Sequence, residues 1–150
     1  MIVSTDVSIE NNKSLVRRYY EEVVNAGDVD RLAEFVFSEY TEVYNNVRHK
    51  VGIDGAKEHL TGVRKTYPDL HLNVERQIAE GEWVVTQITA TGTHEGVWLG
   101  MRPTGKKVEI TGVNVDRVVD GLIVEHGGAA NTFEALLEIG AIKIADPVEE

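Results

Sequence analysis

The sequence predicts an α+β fold in which N-terminal helices wrap a curved antiparallel sheet. Apolar residues recur with the helical period before Pro68 and alternate as in strands after it. Helices followed by hairpin-linked strands pack as one helical layer on an antiparallel sheet. Long strands twist and bend, so we predict a cone-shaped α+β barrel with an enclosed pocket for a small, mostly apolar ligand.

Three helices are predicted in the first half of the chain. The first begins near Asn11 and stops at Gly27, after which Asp28 is an N-cap candidate for a short second helix. The third runs from about Asp54 to Tyr67, because the residue before a proline avoids helical angles. An extended segment, Tyr40 to Asn46, separates the second and third helices.

Four strands and a last short helix are predicted after Pro68. Alternating apolar residues and many Val, Ile and Thr indicate the strands, and a glycine-rich stretch indicates a long loop between the second and third. The predicted bounds are Leu70–Ile78, Trp83–Thr93, Lys107–Val119 and about Leu122–Ala130 for the strands, and Thr132–Ile139 for the helix. The acidic tail, Asp146 to Glu150, is predicted to be loose.

Length and composition limit the protein class. We predict one domain over residues 1–150, with a core from about 11 to 140 and loose ends, because no linker or repeat interrupts the chain. The net charge of −10 disfavours nucleic acid and membrane surfaces as partners, and the absence of cysteine excludes disulfides. Neither a signal pattern nor a membrane-spanning apolar run is present, so a cytoplasmic location is predicted.

The last predicted hairpin carries the polar residues that suit catalysis. A three-residue loop, Val119-Asp120-Gly121, is favoured, because a loop ending in glycine suits that geometry. It pairs Asp116 with Val124 and Asn114 with His126, and these four residues then share one face of the sheet. A two-residue loop would instead turn His126 to the opposite face.

A face of this kind, turned into the cone, provides what proton abstraction next to a carbonyl requires. That reaction needs a base near the carbon and a hydrogen-bond donor near the developing enolate oxygen. His126 and Asp116 are the candidate bases, and Asn114 and Tyr44 are the candidate donors. The competing interpretation is a buried polar pair that only satisfies its own hydrogen bonds.

An ordered set of short motifs covers the same part of the chain. The motifs are Thr89-Ala90-Thr91-Gly92-Thr93-His94-Glu95-Gly96, Leu99-Gly100, Pro103-Thr104-Gly105-Lys106, Gly112-Val113-Asn114-Val115-Asp116-Arg117 and Asp120-Gly121-Leu122-Ile123-Val124-Glu125-His126. Together they strongly resemble the SnoaL-like polyketide cyclase (ester cyclase) family of the nuclear-transport-factor-2-like superfamily, over about Lys13 to Gly140. The resemblance implies the cone fold, aldol-type ring closure by an acidic residue without metal or organic cofactor, and a homodimer formed through the outer face of the sheet.

The chain departs from that family at one point. After Glu125-His126 the cyclases commonly carry a tryptophan and then an acidic residue, where this chain has Gly127 and Gly128. Glycine transfers no proton, so the cyclase mechanism does not carry over residue for residue. Asp116, where relatives tend to have an aromatic residue, either restores a carboxylate nearby or belongs to an altered site. The glycine pair widens the cavity or lets backbone approach a ligand, which makes Gly128 a ligand-binding candidate.

Further candidates lie outside the hairpin. Tyr44 and Asn46 lie near the end of the first extended segment, where the resemblance implies polar pocket residues. Trp98 and Met101, in the long loop, either form a lid over a ligand or cover the edge of the core. Three other histidines are considered as metal ligands, but no two of them have metal-ligand spacing with a carboxylate nearby, so no metal site is predicted. They are His49, His59 and His71.

Three functions remain open at this point. The first is a cofactor-independent enzyme acting on a small apolar carbonyl compound, and the second is a non-catalytic module that binds a small hydrophobic ligand. The third, an epoxide-hydrolase-like enzyme with an Asp-Arg-Asp network, is disfavoured because Arg117 directly follows Asp116 and projects from the opposite face. Arg117 and Glu125 are instead predicted to form a cross-strand ion pair at the surface or a dimer interface.

Overall fold

The computed structural model describes residues 5–149. The first four residues and Glu150, which belong to the predicted loose ends, lie outside this range. In chain order the elements are helix α1 (Thr5–Tyr19) with a π-helical turn (Tyr20–Val24), a 3-10 helix (Val29–Glu34), β1 (Val36–Tyr44), β2 (Val47–Lys50), α2 (Gly52–Thr66), β3 (His71–Glu80), β4 (Trp83–Thr93), β5 (Lys107–Val119), β6 (Leu122–Asn131) and α3 (Phe133–Glu138). No helix in this range is long and apolar enough to cross a membrane.

The predicted α+β fold is confirmed. Six strands form one sheet in the order β2-β1-β6-β5-β4-β3. Four neighbouring pairs are antiparallel, but β1 and β6 run parallel, which the sequence did not indicate. The alternation of side chains along a strand shows which residues share a face, not which strand will lie beside it. The parallel pair brings the first extended segment next to the last strand.

Element bounds were predicted best where the apolar pattern was strong. Strands β4 and β5 begin and end at the predicted residues. Helix α1 begins at Thr5, earlier than the predicted start near Asn11, and its first turns carry no buried residue before Val16 among those whose burial is described. Strand β2 was missed because all four of its residues are exposed and show no burial pattern.

The core lies on one face of the sheet, beneath the helices. Its larger cluster joins the end of α1 and the π-helical turn to the sheet, and its fully buried side chains include Val16, Val23, Leu32, Val84 and Ile123. A smaller cluster packs α3 against Tyr67 and the start of β5. The opposite, convex face leaves apolar side chains exposed, among them Ile78 and Val113. Dimerisation through this face stays a prediction.

Two features of the β5–β6 hairpin differ from the prediction, and their effects on which face the side chains occupy cancel. Its loop has two residues, Asp120 and Gly121, both with positive φ (49° and 75°), so the three-residue loop is wrong. A bulge at Val124 then shifts the register by one residue, since Val118 pairs with Ile123 but Arg117 pairs with Glu125.

The bulge changes the partners and keeps the face. Asp116 is opposite His126 rather than Val124, and Asn114 is opposite Gly128 rather than His126. Asn114, Asp116 and His126 nevertheless share one face, because the bulge restores the alternation that the shorter loop would have reversed.

Candidate active site

A buried carboxylate and an imidazole form the centre of the candidate site. Nδ1 of His126 donates a hydrogen bond to Oδ1 of Asp116 at 2.6 Å. The hydroxyl of Tyr20 donates to the other carboxylate oxygen, Oδ2, at 2.5 Å. Each oxygen of Asp116 therefore accepts one hydrogen bond. The carboxylate fixes the His126 tautomer with the proton on Nδ1, and the second ring nitrogen, Nε2, takes no part in this pair.

The two residues of this pair differ in their exposure to solvent. The side chain of Asp116 is 0% exposed and that of His126 is 24% exposed. Burial acts to lower the pKa of His126, but the Asp116 charge, their hydrogen bond and the Glu42 charge outweigh it, so the pKa is raised. The imidazole is thus the reachable group and the carboxylate its buried support.

Tyr20 reaches Asp116 because α1 ends in a π-helical turn, a local widening that often lies at functional sites. Burial, followed by the Asp116 charge and hydrogen bond, raises the pKa of Tyr20, whereas the side-chain amide of Asn114 opposes the rise. Asn114 is two residues before Asp116 on β5 and shares its face of the sheet. Tyr20 was predicted only as part of the buried helix stripe, and nothing in the sequence indicated its hydroxyl partner.

A second carboxylate–imidazole pair lies next to the first. Nδ1 of His59 donates to Oε1 of Glu42 at 3.0 Å. Glu42 is the Cα partner of His126 across the parallel β1–β6 pair. Burial raises the pKa of Glu42, but the hydrogen bond from His59 and the positive fields of His59, His126 and His49 lower it overall. Glu42 was not singled out in the sequence, and His59 was considered only as a metal ligand and set aside, since only tertiary structure brings β1 and α2 together here.

Trp98 and Met101, the predicted lid residues, lie at the edge of the core. They bridge to each other across the long loop and pack against the smaller cluster. The Trp98 ring meets Tyr67 edge-on at 5.6 Å and His94 at 6.4 Å between centroids. Both residues therefore cover the edge of the core, and their role as a lid over a ligand stays a prediction.

The other predicted ligand-binding residues do not join His126. Tyr44, at the end of β1, is 69% exposed. Asn46 and Gly128 line a cleft of about 520 Å³ together with Trp83 and Val115, whose side chains belong to the convex face of the sheet. At Gly128 (φ 139°) an added Cβ would clash with the Val113 carbonyl oxygen, so the glycine serves close packing against β5.

The predicted ion pair between Arg117 and Glu125 is wrong. The two residues are Cα partners, but Arg117 binds Glu82 at 3.1 Å and Glu125 binds Arg48 at 2.9 Å. Each charge finds a partner on another strand, because the convex face offers several long side chains of opposite sign. Arg117 also stacks over Trp83 on this face, away from Asp116, so no Asp-Arg-Asp network forms there. Among residues 5–149, no group of three or more His, Cys, Asp or Glu is arranged to hold a metal ion.

Solved structures with the same architecture show which class of fold this is. The chain aligns with the SnoaL-like protein of Jannaschia sp. CCS1 at a TM-score of 0.80 and 23% identity, over 95% of this chain and 99% of that chain. AclR of Streptomyces galilaeus aligns at a TM-score of 0.78 and 27% identity, over 90% and 99% of the two chains. The fold is therefore that of SnoaL-like α+β proteins.

Sequence comparison gives the family. The model of the SnoaL-like polyketide cyclase family matches residues 14–139, and the chain belongs to this family. It is 30% identical over 118 residues to the aklanonic acid methyl ester cyclase DauD of Streptomyces sp. (strain C5), covering 75% of this chain and 71% of that protein. The corresponding cyclase DnrD of Streptomyces peucetius is 29% identical over 116 residues, covering 75% of this chain and 79% of DnrD.

Proposed function

We propose that this protein is a cofactor-independent enzyme that performs acid/base chemistry, an aldol-type cyclisation or an isomerisation, on a small apolar carbonyl compound. The observation that carries the proposal is the Asp116–His126 pair, in which a fully buried carboxylate holds a partly accessible imidazole at 2.6 Å. Carboxylate–imidazole pairs of this kind orient a histidine for proton transfer.

The three residues of the site take different roles. His126, through Nε2, is the base that removes a proton from the carbon next to the carbonyl. Asp116 is a positioning residue, because its oxygens are occupied by His126 and Tyr20 and none of its surface is exposed. The side-chain amide of Asn114, on the same face of β5, is the donor for the developing enolate oxygen.

The relatives suggest the first substrate to test. DauD and DnrD are aklanonic acid methyl ester cyclases, and a substrate that closes a ring next to a carbonyl needs the same base and oxyanion donor. This chain carries Gly128 where the resemblance implies an acidic residue, so His126 has to supply the base instead.

The test is the turnover of aklanonic acid methyl ester, followed by chromatography, together with exchange of the proton next to the carbonyl for deuterium, followed by NMR. We expect the wild-type protein to catalyse exchange and His126→Gln to lose at least about a hundredfold in rate. His71→Gln, which alters an exposed histidine at the start of β3, is the matched control and should keep full activity.

Two results would contradict this function. Normal exchange by His126→Gln would remove His126 as the base. Saturable binding of the ester by the wild-type protein without any exchange would instead identify a non-catalytic binding module of the same fold.

A further inference from the structure

Glu42 occupies the side of His126 opposite to Asp116 in the sheet. Strand β6 lies between β1 and β5, so His126 has Glu42 as its partner on one side and Asp116 on the other. Cα partners in neighbouring strands share a face. Glu42 follows the buried Tyr40 by two residues on β1, so its side chain projects to the same, covered face of the sheet.

Histidines gather around this carboxylate. Three of the five histidines in the chain, His49, His59 and His126, lower the pKa of Glu42 by their positive fields. His59 comes from α2, His49 from β2 and His126 from β6. Of these, His59 makes the hydrogen bond at 3.0 Å.

Side-chain exposure is lowest at Asp116, intermediate at His126 and Glu42, and highest at His59. The side chains of Asp116, His126, Glu42 and His59 are 0%, 24%, 21% and 52% exposed, respectively. Carboxylates and imidazoles therefore alternate from a fully buried group to one that is half in solvent. An ordinary surface ion pair has both partners in solvent and contributes little to stability. The Glu42–His59 pair differs, because Glu42 lies on the covered face of the sheet.

We propose that Glu42 and His59 form a proton relay that connects His126 with solvent. The proposal rests on the proposed role of His126 as a base. The proton that Nε2 of His126 takes from substrate passes to the Glu42 carboxylate and then to Nδ1 of His59 in its Nε2–H tautomer, in which Nδ1 accepts. The resulting imidazolium releases its Nε2 proton to water and is left as the Nδ1–H tautomer that donates to Glu42. The net result is one proton moved, and exchange of the half-exposed ring with water restores the Nε2–H tautomer. Glu42 and His59 touch no substrate and act through His126.

The first test measures coupling without substrate. In the full-length protein, long-range ¹⁵N–¹H NMR spectra follow the titration of each imidazole. The groups facing His126 are Asp116 and Glu42, and removal of one negative charge should move the His126 titration to lower pH. Glu42→Gln is therefore expected to lower the His126 midpoint, whereas the control Glu39→Gln, an exposed carboxylate of β1 paired with Lys50, should not. An unchanged midpoint in Glu42→Gln would overturn the relay.

The second test measures proton delivery. Glu42→Gln and His59→Ala are each expected to lower kcat by about tenfold with KM unchanged, because general acid–base groups contribute on this scale or above. Imidazole added to the buffer should restore the rate of His59→Ala, since a soluble base can replace an exposed relay group, and should not restore His126→Gln.

The outcomes separate the two proposals. An active wild-type protein with a normal rate in Glu42→Gln, or with a His59→Ala rate that no buffer restores, overturns the relay and leaves the proposed function standing. A wild-type protein that binds the ester but does not exchange its proton overturns the proposed function and the relay with it. Circular dichroism of each variant confirms that the fold is retained.

Discussion

The two faces of the β5–β6 hairpin place charged side chains in different environments, one buried and one exposed. On the covered face, Asp116 is fully buried and satisfied by Tyr20 and His126. On the convex face, the very next residue, Arg117, pairs with Glu82 while both side chains stay well exposed (41% and 48%). A buried charge that loses its partners costs far more than an exposed one. Neighbouring residues of one strand thus have unequal importance for stability, and the comparison can be tested directly.

The largest effect is expected at the buried carboxylate. Asp116→Ala leaves the Tyr20 hydroxyl and the His126 imidazole without their shared partner, so the free energy of unfolding should fall by about 3 to 5 kcal/mol. Urea unfolding followed by circular dichroism measures it. Glu82→Ala, in the turn between β3 and β4, removes the exposed partner of Arg117; it is the matched control and should cost no more than about 1 kcal/mol. Equal losses in the two variants would remove the distinction between the faces.

A smaller loss is expected when only one hydrogen bond to that carboxylate is removed. Tyr20→Phe keeps the ring packing and deletes the hydroxyl that binds Oδ2 of Asp116. We expect a loss of about 1 to 3 kcal/mol, because a buried acceptor is left unsatisfied. Tyr44→Phe, at an exposed hydroxyl, should leave the unfolding free energy unchanged within error. An unchanged unfolding free energy in Tyr20→Phe would show that water replaces the hydrogen bond to Oδ2 of Asp116.

The smallest effect is expected in the pH dependence that His126 contributes. Its pKa is raised in the folded protein, so its stabilising contribution is full below the unfolded value of about 6.5 and is lost as pH rises through the folded pKa. Comparing wild type with His126→Gln by urea unfolding, the stability difference should be larger near pH 6 than near pH 9. Glu42 changes stability in the opposite sense and only at lower pH, because its pKa is lowered. A difference that grew with pH would contradict the raised pKa of His126.

Much of the fold could be predicted from local pattern. The alternation of apolar residues in β4 and β5 fixed both ends of these strands, because one face of each is buried and the other is not. The common face of Asn114, Asp116 and His126 was also predicted, although through a wrong loop. Prediction succeeded there because the face depends only on whether a residue count is odd or even, and the shorter loop and the bulge at Val124 each changed that count once.

The amino-acid sequence by itself determined the fold class, the strands with a clear burial pattern and which hairpin residues share a face, since these follow from the period of burial along the chain. Only the tertiary structure decided that Tyr20, Glu42 and His59 meet this hairpin. They come from the end of α1, from β1 and from α2, and the decisive contact is the parallel pairing of β1 with β6. Nothing local in either strand specifies that neighbour, because backbone hydrogen bonds are the same for any partner and the choice is made by packing the whole core.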